Sequence, residues 1–257
     1  MQLTDTHTHL FAEEFDADRS AMIQRAIAKG VSTCFLPNID VSTIPALLKT
    51  CDDFPANCFP MLGLHPCSVD ATYEQQLAET KDWFGKRKFY AVGEIGIDLF
   101  HDITFAEQQK KAFRTQIEWA KEMNLPIVLH CRNSFNEVME IVTEMHEERL
   151  KGIFHCFTGT IEEAQKVMAL KSFKMGIGGV VTYKNSTLSQ VLKEVPLSYL
   201  VLETDSPYLT PVPFRGKRNE SSYIWYVADK IAEIYRLPIE KIAEITTQNA
   251  MEVFGEF

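Results

Sequence analysis

Short apolar runs alternate with longer amphipathic stretches almost from one end of this chain to the other, and that alternation restricts the fold more than any other feature. Eight runs read as strands: residues 2–6, 31–37, 58–64, 89–95, 126–131, 152–156, 174–178 and 199–204. Several are continuously apolar, such as Ile127-Val128-Leu129 and Leu200-Val201-Leu202, as parallel strands buried on both faces require. Eight such runs, each followed by a helical stretch, predict an α/β fold: a TIM-like (β/α)8 barrel filling residues 1–257 as a single domain. A doubly wound open sheet is the runner-up. It would place a glycine-rich turn after the first strand, whereas this chain has Asp5-Thr6-His7-Thr8-His9 there.

The intervening segments carry helical periodicity. Over residues 105–123, Phe105, Gln109, Ala112, Phe113, Gln116, Ile117 and Ala120 recur on one face with charges between them. Asn133 and Ser134 precede a second helix at 135–145 as capping candidates. Thr160 with Glu163 predicts a capping box for a helix running to Ala169. Pro238 predicts the start of a last helix over 239–249.

Charge narrows the range of partners. With 26 basic and 35 acidic residues the formal charge is -9, which argues against a broad basic surface wrapping duplex nucleic acid. A nucleic-acid end entering a local metal site remains compatible, because ions bring positive charge of their own. No stretch is long and apolar enough to span a bilayer, and the first residues have neither the basic region nor the apolar run of a signal peptide. The six cysteines (Cys34, Cys51, Cys58, Cys67, Cys131 and Cys156) form no zinc-ribbon pattern. A cytoplasmic protein is therefore expected, and, with no heptad run evident, a monomer.

Polar residues collect at the strand ends. His7 and His9 are two residues apart, so on extended backbone both imidazoles point the same way and can grip one ion. Glu94, His130, His155 and Asp205 close the fourth, fifth, sixth and eighth strand candidates. In a barrel those positions surround one mouth, whatever their separation in sequence. Imidazoles mixed with carboxylates suit zinc, manganese or iron, and magnesium less well. The ligands suffice for two ions, with Glu94 as the natural bridge. Asp205 can act as a ligand, as the general base that takes a proton from attacking water, or as both, with one oxygen facing the ion and the other water. His65, in Gly63-Leu64-His65-Pro66, could orient a substrate phosphate or act as general acid. Glu203 could fix a ligating imidazole. Arg132, Arg215, Lys217 and Arg218 could neutralise phosphate. His101 and His146 read as ordinary surface or hydrogen-bonded histidines.

These blocks, taken in order, resemble the TatD family of metal-dependent deoxyribonucleases within the amidohydrolase superfamily. The resemblance is carried by Asp5-Thr6-His7-Thr8-His9-Leu10, Gly63-Leu64-His65-Pro66, Gly93-Glu94-Ile95-Gly96-Ile97-Asp98 and His130-Cys131-Arg132. It continues through His155-Cys156-Phe157-Thr158-Gly159, Glu203-Thr204-Asp205-Ser206-Pro207-Tyr208-Leu209 and Arg215-Gly216-Lys217-Arg218-Asn219-Glu220. It implies a distorted TIM barrel with two divalent ions at its C-terminal mouth. His7, His9, Glu94 and Asp205 would hold one ion, and Glu94, His130 and His155 the other. The implied activity is 3′-to-5′ exonuclease action on single-stranded DNA, sometimes RNA. The alternatives are deacylation of D-aminoacyl-tRNA or hydrolysis of a small amide or lactone. Two positions depart from the family pattern: Cys67 stands where a histidine often follows His-Pro, and Ser221-Ser222 stand where proline often follows Arg-Asn-Glu.

Overall fold

Each of the eight runs overlaps a parallel strand in the computed structural model, which describes residues 2–100 and 102–257. The strands are β1 (Leu3–Asp5), β2 (Val31–Pro37), β3 (Cys58–Met61), β4 (Val92–Asp98), β5 (Ile127–Arg132), β6 (Gly152–Phe154), β7 (Phe173–Ile177) and β8 (Leu200–Leu202). The helices are α1 (Arg19–Ala28), α2 (Ile44–Asp53), α3 (Tyr73–Phe84), α4 (Ala106–Met123), α5 (Phe135–Met145), α6 (Ile161–Ala169), α7 (Leu188–Val191), α8 (Ile224–Tyr235) and α9 (Ile239–Phe254). None of the described helices is long and apolar enough to cross a membrane.

Strand ladders join β1-β2-β3 and, separately, β4 through β8 in order. Two seams close the barrel between these sheets. At one, a bridge pairs Leu62 with Val92, and Gly93 N–H donates to Leu62 O at 3.0 Å. At the other, Thr6 N–H donates to Leu202 O (3.0 Å), Asp205 N–H to His7 O (2.9 Å) and His9 N–H to Ser206 O (2.8 Å). The second seam thus brings the expected ligands from opposite ends of the sequence side by side.

Strand pleating divides the core into two apolar layers. Ile127 and Leu129 pack with the helices, while Val128 joins Phe35, Phe59, Met61, Ala91, Ile153 and Val201. The latter set draws on strands from around the barrel and is its interior filling. The end of α9 closes it from the N-terminal side, with Phe254 stacked on Phe35 at 3.8 Å. Side chains two residues further along a strand share the same face. The interior row through Val128 therefore continues to His130, that through Ile153 to His155, and that through Val201 to Glu203 and Asp205.

β4 begins and ends later than the sequence suggested, spanning 92–98 rather than 89–95, so Glu94 lies inside the strand instead of closing it. A register shift between Val92 and Ile95 changes the pleat phase, letting both Ala91 and Glu94 face inward. Gly96 makes the β4–β5 approach possible. Its φ is +141°, and a Cβ there would lie 2.1 Å from His130 O, so only glycine fits.

Two other expectations change in detail. α9 runs past residue 249 to Phe254, with Pro238 as its N-cap residue. The Ser134 hydroxyl, expected to cap α5, donates instead to Ile97 O at 2.5 Å. The Thr160–Glu163 capping box forms as anticipated. In α4, the buried amides of Gln109 and Gln116 reach the strand ends. Gln116 both accepts from Leu64 N–H (2.7 Å) and donates to Leu64 O (3.2 Å), and Gln109 accepts from Asp98 N–H (2.9 Å). These bonds satisfy backbone that the site's irregular edges would leave unpaired.

Candidate metal centre

At the C-terminal mouth the two oxygens of Glu94 serve different sets of histidines. Oε2 lies 3.1 Å from His7 Nε2 and 3.8 Å from His9 Nε2. Oε1 lies 2.8 Å from His130 Nδ1 and 3.2 Å from His155 Nε2. Asp205 belongs to the first side, with Oδ1 3.4 Å from His9 Nε2 and 3.8 Å from His7 Nε2. Its backbone is in the left-handed region, φ 54°, a conformation aspartate tolerates better than most residues. The ligand atoms of His7, His9 and Glu94 all lie within 4.8 Å of one another, as do those of His65, Glu94 and His130.

This donor set fits a cation. His7 Nε2 is fully buried and makes no hydrogen bond, although a carboxylate oxygen stands 3.1 Å away. An imidazole lone pair and a carboxylate turned toward a shared point are what a divalent ion satisfies.

Outer carboxylates fix the rings. Asp98 Oδ2 lies 2.8 Å from His130 Nε2, so that nitrogen carries the proton and Nδ1 is left for an ion. Glu203 Oε1 lies 3.2 Å from His155 Nδ1 and accepts from Cys156 N–H at 2.7 Å. Glu203 is wholly buried, and Gly176 makes room for it: a Cβ there would meet Oε2 at 2.0 Å. His7 and His155 stack at 3.7 Å, 14° from parallel, with both Nε2 atoms toward Glu94. Ligand atoms of these two rings and Glu203 lie within 4.8 Å of one another, so Glu203 is near one ring from each side of Glu94 and paired with His155.

Beneath the site Asp5 ties the β1 and β8 ends together. It accepts from Thr204 N–H (2.9 Å), Thr204 Oγ1 (2.6 Å) and Ser221 Oγ (2.7 Å). Burial pushes its carboxyl up to about 7 against these hydrogen bonds. Ser221, one of the departures from the family pattern, thus takes part in this buried network.

The electrostatics of the cluster follow from crowding. Burial opposes the charged form of Glu94, but His65, His155 and His7 outweigh it and hold the carboxyl well below the usual range. Burial likewise opposes charge on His155, where Glu94 and Glu203 outweigh it and raise the pKa well above the ordinary imidazole value. His7 shifts the other way, lowered by burial and then by His155. Neighbouring groups pushed in opposite directions are typical of functional sites.

His65 sits inside the cluster, with Nε2 3.3 Å from Glu94 Oε1 and 3.3 Å from His130 Nδ1. Its Nδ1 accepts from Cys67 N–H at 3.1 Å, which places the proton of the neutral ring on Nε2. That nitrogen can donate to an oxygen but cannot ligate an ion while protonated. Because the hold comes from the backbone, the Cys67 side chain does not enter into it.

The basic residues separate. Arg132 lines a cleft of about 690 Å³ with His9, His65, Glu94, His130, His155 and Asp205. Arg215 lies over Tyr183 at 4.0 Å and Lys217 over Phe214 at 5.7 Å, neither in the cleft wall. Arg218 is engaged by the chain itself. Its guanidinium donates to both oxygens of Asp18, at 2.7 and 2.9 Å, and lies over Phe15 at 4.6 Å. His146 packs at the surface, 3.2 Å from Leu170 O, and His101 lies outside the described residues. All six cysteines are free thiols.

Asp98, Asp5 and Gly176 were not singled out from the sequence. Asp98 could have been: it is four residues beyond Glu94, and strand parity places both on one face.

Comparison with known proteins agrees with this geometry. The family model described as TatD related DNase matches residues 4–255. The uncharacterized metal-dependent hydrolase YabD of Bacillus subtilis (strain 168) is 42% identical over 253 residues, covering 98% of each chain. The uncharacterized metal-dependent hydrolase YjjV of Escherichia coli K12 is 30% identical over 254 residues, covering 98% of this chain and 97% of its own. The crystal structure of YjjV, described as a TatD homolog, superposes with a TM-score of 0.93 at 29% identity, covering 99% of this chain and 98% of that one.

Proposed function

Since this chain belongs to the TatD-related DNase family of metal-dependent hydrolases, we propose that it cleaves terminal phosphodiesters, releasing nucleotides from the 3′ end of single-stranded DNA with two divalent ions. The observation that carries the two-ion reading is the division of Glu94, one carboxylate oxygen toward His7 and His9 and the other toward His130 and His155. His7, His9, Glu94 and Asp205 would hold one ion, and Glu94, His130 and His155 the other. Zinc or manganese suits this imidazole-rich set better than magnesium.

When bound, the ions acidify water and stabilise negative charge on phosphoryl oxygen. The remaining work falls to the chain's own side chains. Asp205 lines the cleft beside His9 and accepts the proton of the attacking water. Burial raises its pKa, but His9, His155 and His7 outweigh that and hold it below the ordinary aspartate value, so it stays ionised at neutral pH. His65 Nε2–H donates a hydrogen bond to a phosphate oxygen and keeps its proton, and the proton that Asp205 takes from water is the one available to the leaving oxygen. Arg132 grips the same phosphate from the cleft wall. Acidic bulk charge favours a short unpaired end over a wrapped duplex.

A time course on 3′- and 5′-labelled single-stranded DNA tests this, using metal-stripped protein with magnesium, manganese or zinc restored separately. Release of 3′-terminal mononucleotides, dependent on metal and absent in Asp205→Asn, is the expected result. No cleavage with any ion would transfer the same centre to D-aminoacyl-tRNA or to a small amide or lactone, each then assayed under identical conditions.

A further inference from the structure

Large exposed apolar side chains gather at the mouth. Phe100 and Ile103 lie on the loop after β4, and Tyr208, Leu209 and Val212 on the loop after β8. These strands stand four apart in an eight-stranded barrel, so the loops form opposite rims. Single exposed apolar residues need no explanation, but their concentration around a cleft marks a binding surface.

Tyr208 is the best placed of them. The residue is 49% exposed and lines the cleft, and its ring centroid lies 6.2 Å from that of His9. Its backbone is held firmly. Tyr208 N–H donates to Asp205 O at 2.8 Å, and Tyr208 O accepts from the buried Asn219 Nδ2 at 2.7 Å. The same Asn219 nitrogen donates to Thr204 O at 2.8 Å, so ring and ion ligand ride on one braced loop. On the other rim Arg132 lies over Phe100 at 3.9 Å and faces the cleft, putting a cation opposite the aromatic wall.

We propose that Tyr208, with Leu209 beside it, is a stacking face for the base of the terminal nucleotide, whose phosphate reaches His65 and Arg132. The proposal rests on the nuclease reading for the place of the phosphate. A rigid aromatic face loses little conformational freedom on binding and accepts any base. It also favours unpaired ends, since a base within a duplex must first leave its own stack.

The test compares dAMP with 2-deoxyribose 5-phosphate, the same sugar phosphate without a base, titrated calorimetrically into metal-loaded wild type, Tyr208→Phe and Tyr208→Ala. Wild type and Tyr208→Phe should bind dAMP about tenfold tighter than the sugar phosphate, and Tyr208→Ala should bind both alike. Unchanged affinity for the sugar phosphate across the three proteins would show that fold and ion site are intact. Equal binding of both ligands by wild type, a preference for dAMP that survives in Tyr208→Ala, or no binding of either would overturn the proposal. The same samples are assayed on single-stranded DNA. A Tyr208-dependent preference for dAMP without cleavage would sink the nuclease reading and leave the stacking face standing; cleavage without that preference would do the reverse.

Discussion

Asp98 lies 2.8 Å from His130 Nε2 and so decides which nitrogen of that ring is left to face Glu94. A ligating imidazole held this way cannot rotate or exchange tautomers. Asp98→Ala should weaken one of the two proposed ions about 10- to 100-fold and leave the ion proposed between His7 and His9 nearly untouched. Calorimetric titration with zinc or manganese reads this directly as two affinities, and an unaltered pair would remove the role.

Asp205→Asn keeps the size of the side chain and the backbone bonds to His7 and Tyr208. It removes the proton acceptor and a charged ligand. Turnover should fall at least about 100-fold, while the melting temperature of the metal-stripped protein changes little. Full activity in this variant would exclude the assignment.

Gly176 and Glu203 form a matched pair. Gly176→Ala would drive a methyl group into Glu203 Oε2, and the wholly buried carboxylate has little room to withdraw. Because Glu203 lies within 4.8 Å of ligand atoms of both His7 and His155, this change and Glu203→Gln should each weaken both proposed ions, unlike Asp98→Ala. Metal content measured after dialysis distinguishes one-site from two-site loss.

Arg132 and Arg218 should respond in opposite ways to removal. Arg132→Ala is expected to raise KM with little change in stability. Arg218→Ala should leave KM nearly alone and cost about 1 kcal/mol or less of stability, since its pair with Asp18 is partly exposed to solvent. Arg218 and then Arg25 hold the Asp18 carboxyl down at about 2, against a reference of 3.8. A folded-state pKa below the unfolded one stabilises fully above the unfolded value and is lost as pH falls through the folded value. Thermal melts of wild type and Asp18→Asn should therefore differ at pH 6 and converge between about pH 4 and 2.

Chelation should lower the melting temperature reversibly. Ions that bind only the folded chain stabilise it by about 2.7 kcal/mol at a hundredfold excess over Kd, and the buried lone pair of His7 is left without a partner when they go. A melting temperature indifferent to chelator and to restored metal would count against structural coupling of the centre.

Much of this was legible in the sequence, for a physical reason. Apolar runs such as Ile127-Val128-Leu129 are buried on both faces, so composition alone marks them as parallel strands. Polar residues directly after such runs have few places to go but the barrel mouth, and the positions of His7, His9, His130, His155 and Asp205 follow from that. Glu94 was found, but not its depth, because a pleat irregularity between Val92 and Ile95 leaves no clear mark in composition. The pairing of Arg218 with Asp18 was invisible for another reason. The two residues are 200 positions apart, and nothing local distinguishes an arginine that grips substrate from one that grips its own chain.

The seam between β1 and β8 has a consequence for genetics. It is spanned from below by α9: Thr4 Oγ1 meets Thr247 Oγ1 at 3.5 Å, and Asn249 Nδ2 donates to Leu197 O and Leu200 O at 2.9 and 2.7 Å. A nonsense codon shortly before this helix would leave every proposed metal ligand encoded, the last being Asp205. Its product would still lack the brace that holds His7 and His9 in register with Asp205, so even a late truncation of this reading frame should score as a null allele.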